Sequence, residues 1–165
     1  MEVDQNTRSQ GPGRLIASLF AGLRGRGVDN VIDVPTAVMI PIVAAMLADG
    51  RVEPEELLQI ESVCASSPIY ERNSSAENDY IISRAGKLIQ DHGLDGACQR
   101  ACQCLSPALR ETAFVHAVRV IFSDGYVGQL EREVIDKMIS WLEMDRERAR
   151  MMVDVVSVMQ HTAIA

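Results

Sequence analysis

Two pairs of carboxylates at matching spacing are the residues of this chain best placed to do chemistry. Asp49-Gly50-Arg51-Val52-Glu53-Pro54-Glu55-Glu56 and Asp124-Gly125-Tyr126-Val127-Gly128-Gln129-Leu130-Glu131 share Asp, Gly, Val and Glu at the same four places, offset by 75 residues. In each copy the Asp ends an apolar run, and the Glu, seven residues on, falls in the first turn of an amphipathic one. Such a break between helices can bring both carboxylates to one side of the turn. Clustered carboxylates suit hard cations such as Ca²⁺, Mg²⁺ or Mn²⁺, which take oxygen ligands, in preference to Zn²⁺. The expected metal residues are therefore Asp49, Glu56, Asp124 and Glu131. A second reading stays open. A Glu at the third position of a helix completes a capping box and suits the positive helix end. An Asp before Gly can bond the N–H groups of its own turn.

The octapeptide imitates half of an EF-hand calcium loop, but that loop also needs oxygen ligands four and two residues before the Asp. Those places hold Ala45 and Leu47 in one copy, and Val120 and Phe122 in the other. None has a ligating side chain, so the EF-hand is excluded. Cys98 and Cys102 stand one helical turn apart, but they continue a stripe with Leu94, Ala101 and Leu105. Core packing accounts for them better than a metal site. His92, His116 and His161 are isolated from any nucleophile at catalytic spacing. No glycine-rich phosphate loop is present.

Both acidic turns are expected to be held between helices. The run Pro35 to Ala48 is apolar on nearly every face and predicts a central helix, opened by Pro35, kinked at Pro41 and stopped by Gly50. Pro54 opens the next helix, with a buried side of Leu57, Leu58 and Ile60. Ser74-x-x-Glu77 is a capping box ahead of a helix carrying Ile81, Ala85, Leu88 and Ile89, which Gly93 should stop. Asp95 then caps a short helix bearing Cys98, Ala101, Cys102 and Leu105. Ser106-Pro107 starts a helix that Gly125 ends. Leu130, Val134, Ile135, Met138, Trp141 and Leu142 mark the next. Asp145 caps the last, whose stripe is Ala149, Met152, Val153, Val156 and Met159. Ahead of all these, Leu15, Ile16, Leu19, Phe20 and Leu23 recur at helical spacing between Arg14 and Arg24. That segment suits either an anionic membrane surface or one side of the bundle.

The expected fold is all-α: a single-domain bundle of seven or eight helices with an internal duplication of two helix–turn–helix units. Residues 1–13 are expected to form a disordered tail and 14–165 the helical domain. The length of 165 residues suits one sizeable core, and the seven aromatic residues favour an aliphatic bundle over a sandwich. The net charge of −7 repels phosphate, which argues against nucleic acid and for cations or basic surfaces. No secretory signal is visible, so Cys64, Cys98, Cys102 and Cys104 are expected as reduced thiols. Val31 to Ala48 is interrupted by Asp33, Pro35 and Pro41, and reads as a buried helix rather than a transmembrane one.

Ala48-Asp49-Gly50-Arg51-Val52 with Glu56, and Leu105-Ser106-Pro107-x-x-Arg110-Glu111 leading to Ser123-Asp124-Gly125-Tyr126-Val127 with Glu131, resemble the tellurite-resistance protein TerB and its TerB-like relatives. The resemblance covers roughly residues 35–160. It implies a duplicated helical bundle in the bacterial cytoplasm, or peripheral at the inner face of the membrane. It further implies a stress-response role through metal binding or as an adaptor for a TerC-like membrane protein, and no enzymatic activity. The family turn often has Ser or Thr where this chain has Glu53 and Gly128, so capping is weaker here. Two functions follow as expectations: a non-enzymatic cation-binding stress protein, or a structural adaptor whose acids only cap helices. Tellurite itself is an anion, which an acidic cluster repels.

Overall fold

A computed structural model describes residues 31–48, 50–123, 125 and 127–160. The expected tail over 1–13, the amphipathic segment 15–23, both turn aspartates and the last five residues lie outside the described residues. Six helices follow one another: α1 Val34–Leu47, α2 Pro54–Ser66, α3 Ser75–Cys104, α4 Pro107–Ile121, α5 Gln129–Trp141 and α6 Arg146–Met159. The described residues are all helix and connection, with no strand. Six is fewer than the seven or eight expected. The helices expected before and after Gly93 are both present and count together as α3, because they meet directly at a kink where Gly93 leaves helical geometry, with φ 72° and ψ 170°. The first expected helix falls outside the described residues.

α1 is the axis of the core. Every residue from Thr36 to Met46 is buried, so the helix has no solvent face. It packs against α3 and α4, the two apolar helices α1 and α4 lying in direct contact. The Asp33 carboxylate accepts the Thr36 N–H at 2.9 Å and so caps α1 one turn ahead of its apolar run. Arg84 reaches from α3 to donate to that same carboxylate and to the Val31 carbonyl, each at 2.5 Å. Tyr70, fully buried in the loop after α2, donates its hydroxyl proton to the Pro35 carbonyl at 2.9 Å. The loop is thereby fastened to the start of the central helix.

Most of the expected stops and starts are in place. Ser74 and Glu77 form their reciprocal box, Ser106 caps α4, and the Asp145 carboxylate accepts the Arg148 N–H at 2.8 Å. Asp95 differs. It lies two residues past the kink at Gly93, and its carboxylate accepts the Trp141 indole N–H at 2.6 Å. Three residues expected in the core are at the surface: Leu58, Leu130 and Met159. Each lies on an edge of its helix that no neighbouring helix among the described residues covers, which spacing along one helix cannot reveal. Cys64, Cys98 and Cys102 are buried free thiols, and Cys104 is exposed. Burial pushes the Cys98 thiol up to about 12, with Asp95 adding to it, in keeping with a thiol packed in the core. No helix among the described residues is long and apolar enough to cross a membrane.

Candidate functional site

The two acidic turns have the same backbone chemistry. Gly50 and Gly125 take φ 75° and 78°, the left-handed region that ends a helix. The Gly50 N–H donates to the Leu47 carbonyl at 3.1 Å, and the Gly125 N–H to the Phe122 carbonyl at 3.0 Å. α2 and α5 then begin at equivalent residues, Pro54 and Gln129. Their first closing bonds match as well: Leu57 N–H to Glu53 carbonyl and Arg132 N–H to Gly128 carbonyl, both 3.3 Å. Glu56 and Glu131 consequently occupy the same position, third in their helices. Each carries its negative charge within the first turn, where the helix end is electropositive.

These two turns meet. A cleft of about 120 Å³ is lined by Glu53 and Glu56 from the first turn and by Glu131 and Glu133 from the second. Ala45, Ile121 and Val134 give it apolar walls, and Lys137 stands at its side. The contact of α1 with α4 is what brings this about. Two helices packed side by side carry their C-terminal turns, and hence the starts of α2 and α5, to a common end of the bundle. Glu56 and Glu131 are half-buried, whereas Glu53 and Glu133 are exposed. Four carboxylates against one ammonium leave the lining with a formal charge of −3.

Of the four expected residues, Glu56 and Glu131 are thus brought to one cleft from sites 75 residues apart in sequence. Asp49 and Asp124 lie outside the described residues. Their neighbours Ala48 and Ser123 both line the cleft. Among the described residues no group of three His, Cys, Asp or Glu side chains is disposed to hold a metal ion. The capping role is also visible at one turn. The Glu56 carboxylate accepts the Glu53 N–H at 2.9 Å. Gly128, at the equivalent N-cap of α5, has no side chain with which to cap. An ionised carboxylate offers two oxygens and about four acceptor sites.

Glu53, Glu133 and Lys137 are not apparent from the repeat, because only Glu56 and Glu131 recur at matching places. One signal for Lys137 exists: Leu130, Val134 and Lys137 follow one another at helical spacing and so share the face of α5 that meets the cleft. Outside the cleft, His116 on α4 has a half-buried ring whose Nδ1 has no hydrogen-bond partner among the described residues. Burial, assisted by Arg119, lowers its pKa to about 4, so the ring is neutral near pH 7. No family model matches the chain, and neither a curated protein nor a solved structure is significantly similar to it.

Proposed function

We propose that this chain is a non-enzymatic, TerB-like stress-response protein whose paired acidic turns bind a divalent cation in the cleft they share. The observation that carries this reading is the convergence of Glu56 and Glu131, in equivalent positions of turns 75 residues apart, on one cleft of formal charge −3. Oxygen-only donors favour Ca²⁺, Mg²⁺ or Mn²⁺ over Zn²⁺. Asp49 and Asp124 complete the proposed ligand set. The matching glycines and turn hydrogen bonds support an ancestral duplication of one helix–turn–helix unit. The negative cleft also bears on tellurite. An anion is repelled there, so any protection against it is indirect. Cation loading would change the charge that the two turns present to a protein partner, such as a TerC-like membrane protein in the bacterial cell.

The second reading makes the chain a structural adaptor whose turn acids serve only as helix caps. The bond from the Glu53 N–H to the Glu56 carboxylate favours it at the first turn.

Thermal unfolding of chelator-treated protein with Ca²⁺, Mg²⁺, Mn²⁺ or Zn²⁺ separates the two readings. A cation at about a hundred times its Kd adds roughly 2.7 kcal/mol and raises the midpoint. The proposal expects that shift with a hard cation, and its loss in Asp49→Asn/Asp124→Asn and in Glu56→Gln/Glu131→Gln. No shift with any ion, with destabilisation only in Glu56→Gln, supports the adaptor reading instead.

A further inference from the structure

Lys137 is the one basic residue among the described residues that line the acidic cleft. It stands on α5 one turn beyond Glu133 and Val134 and two turns beyond Leu130, all of which line the cleft as well. Long side chains on a helix lean back toward its N-terminus, which carries the Lys137 stem over the turn of Glu133 and Val134. The start of α5, with Glu131, lies in that direction. Lys137 is exposed and takes part in no ion pair among the described residues, whereas Arg84, Lys87, Arg110 and Arg148 are each paired with a carboxylate. Its ammonium, a compact charge on a flexible stem, is therefore not committed to one partner.

We propose that Lys137 is the cleft's own counter-cation, and that a divalent cation has to displace it to load the site. The displacement rests on the cation reading proposed above; the neutralisation does not. Four carboxylates gathered on one cleft repel one another, and an ammonium beside them offsets part of that repulsion. Without it the formal charge of the lining goes from −3 to −4. The same ammonium repels an incoming cation, which gains less from the cleft than the carboxylates alone would give. Lys137 therefore sets the cation concentration at which the cleft loads. It also favours divalent ions over Na⁺ or K⁺. A monovalent ion brings no more charge than the ammonium already present, whereas a divalent ion brings twice as much.

Lys137→Met and Lys137→Arg in the full-length protein test both steps. Methionine keeps an unbranched side chain of similar helix propensity and removes the charge, while arginine keeps the charge. In chelator-treated protein at about 20 mM NaCl, Lys137→Met should lower the thermal midpoint. That loss should shrink at about 0.5 M NaCl, where the carboxylates are screened from one another. Mn²⁺ titrated calorimetrically at low salt should bind Lys137→Met about tenfold or more tightly than the wild type. Lys137→Arg should match the wild type in both measurements. An unchanged midpoint in Lys137→Met, or a loss that salt leaves intact, overturns the counter-cation role. Mn²⁺ binding to the wild type that Lys137→Met leaves equal or weakens overturns the displacement, while the cation reading stands. No Mn²⁺ binding to any of the three proteins overturns the cation reading and the displacement with it.

Discussion

The Trp141 indole N–H donates to the Asp95 carboxylate at 2.6 Å, joining the last turn of α5 to the arm of α3 beyond its bend. Trp141 is the single tryptophan of the chain. Asp95→Ala leaves a largely buried indole N–H without its partner, a loss of about 1–3 kcal/mol. Denaturant unfolding should show that loss, accompanied by a shift in tryptophan emission. Asp95→Asn keeps an acceptor oxygen and should recover part of both. An unchanged emission spectrum in Asp95→Ala would mean that the bond is not formed in solution.

The three left-handed glycines should respond unequally to alanine. An added Cβ at Gly50, Gly93 or Gly125 meets nothing within 4 Å, so the cost is conformational. Gly50 and Gly125 take φ 75° and 78° at the ends of their helices, and a left-handed alanine costs about 1–2 kcal/mol. Their two losses should be similar because the turns are alike. Gly93, at φ 72° and ψ 170°, occupies a region open essentially to glycine alone. Gly93→Ala should be the most damaging of the three, as read by urea midpoints.

His116 gives stability a dependence on mildly acid pH. Its pKa falls from 6.5 to about 4 in the fold, so between those values the unfolded chain binds the proton and the folded chain does not. Stability is therefore full above pH 6.5 and declines as pH falls toward 4, by at most about 3 kcal/mol. The lowered carboxyls of Asp33, Glu77 and Glu111 lose their contributions only at lower pH, within and below the ordinary carboxylate range. His116→Leu should flatten the upper part of the profile, measured as unfolding free energy against pH from 7 to 4.5.

At the start of α1 one buried hydroxyl fastens the loop after α2. The Tyr70 hydroxyl donates to the Pro35 carbonyl, and Tyr70→Phe should cost about 1 kcal/mol. The melting temperature of the variant checks it. An unchanged midpoint in Tyr70→Phe would mean that the bond adds nothing over water.

The sequence by itself determined what is local. Ser74 with Glu77, Ser106 with Pro107, Asp145, and the glycines at 50 and 125 act within a few residues of themselves. Hydrogen bonds inside one turn set those boundaries. The burial of α1 was legible too, since an all-apolar helix has no stable place but the core. The break at Gly93 was legible as a stop, and so was the helical arm beyond it, but not that the two arms meet at a kink with no loop between them. Whether the chain resumes the helix after one unusual residue depends on what α3 packs against. Only the tertiary structure decided that Glu56 and Glu131 line the same cleft, because that required α1 to lie against α4. It also decided that Leu130 and Met159 face outward and that Asp95 answers Trp141. Helical spacing tells which side chains share a face, whereas the neighbouring helix, brought from far along the chain, determines whether that face is covered.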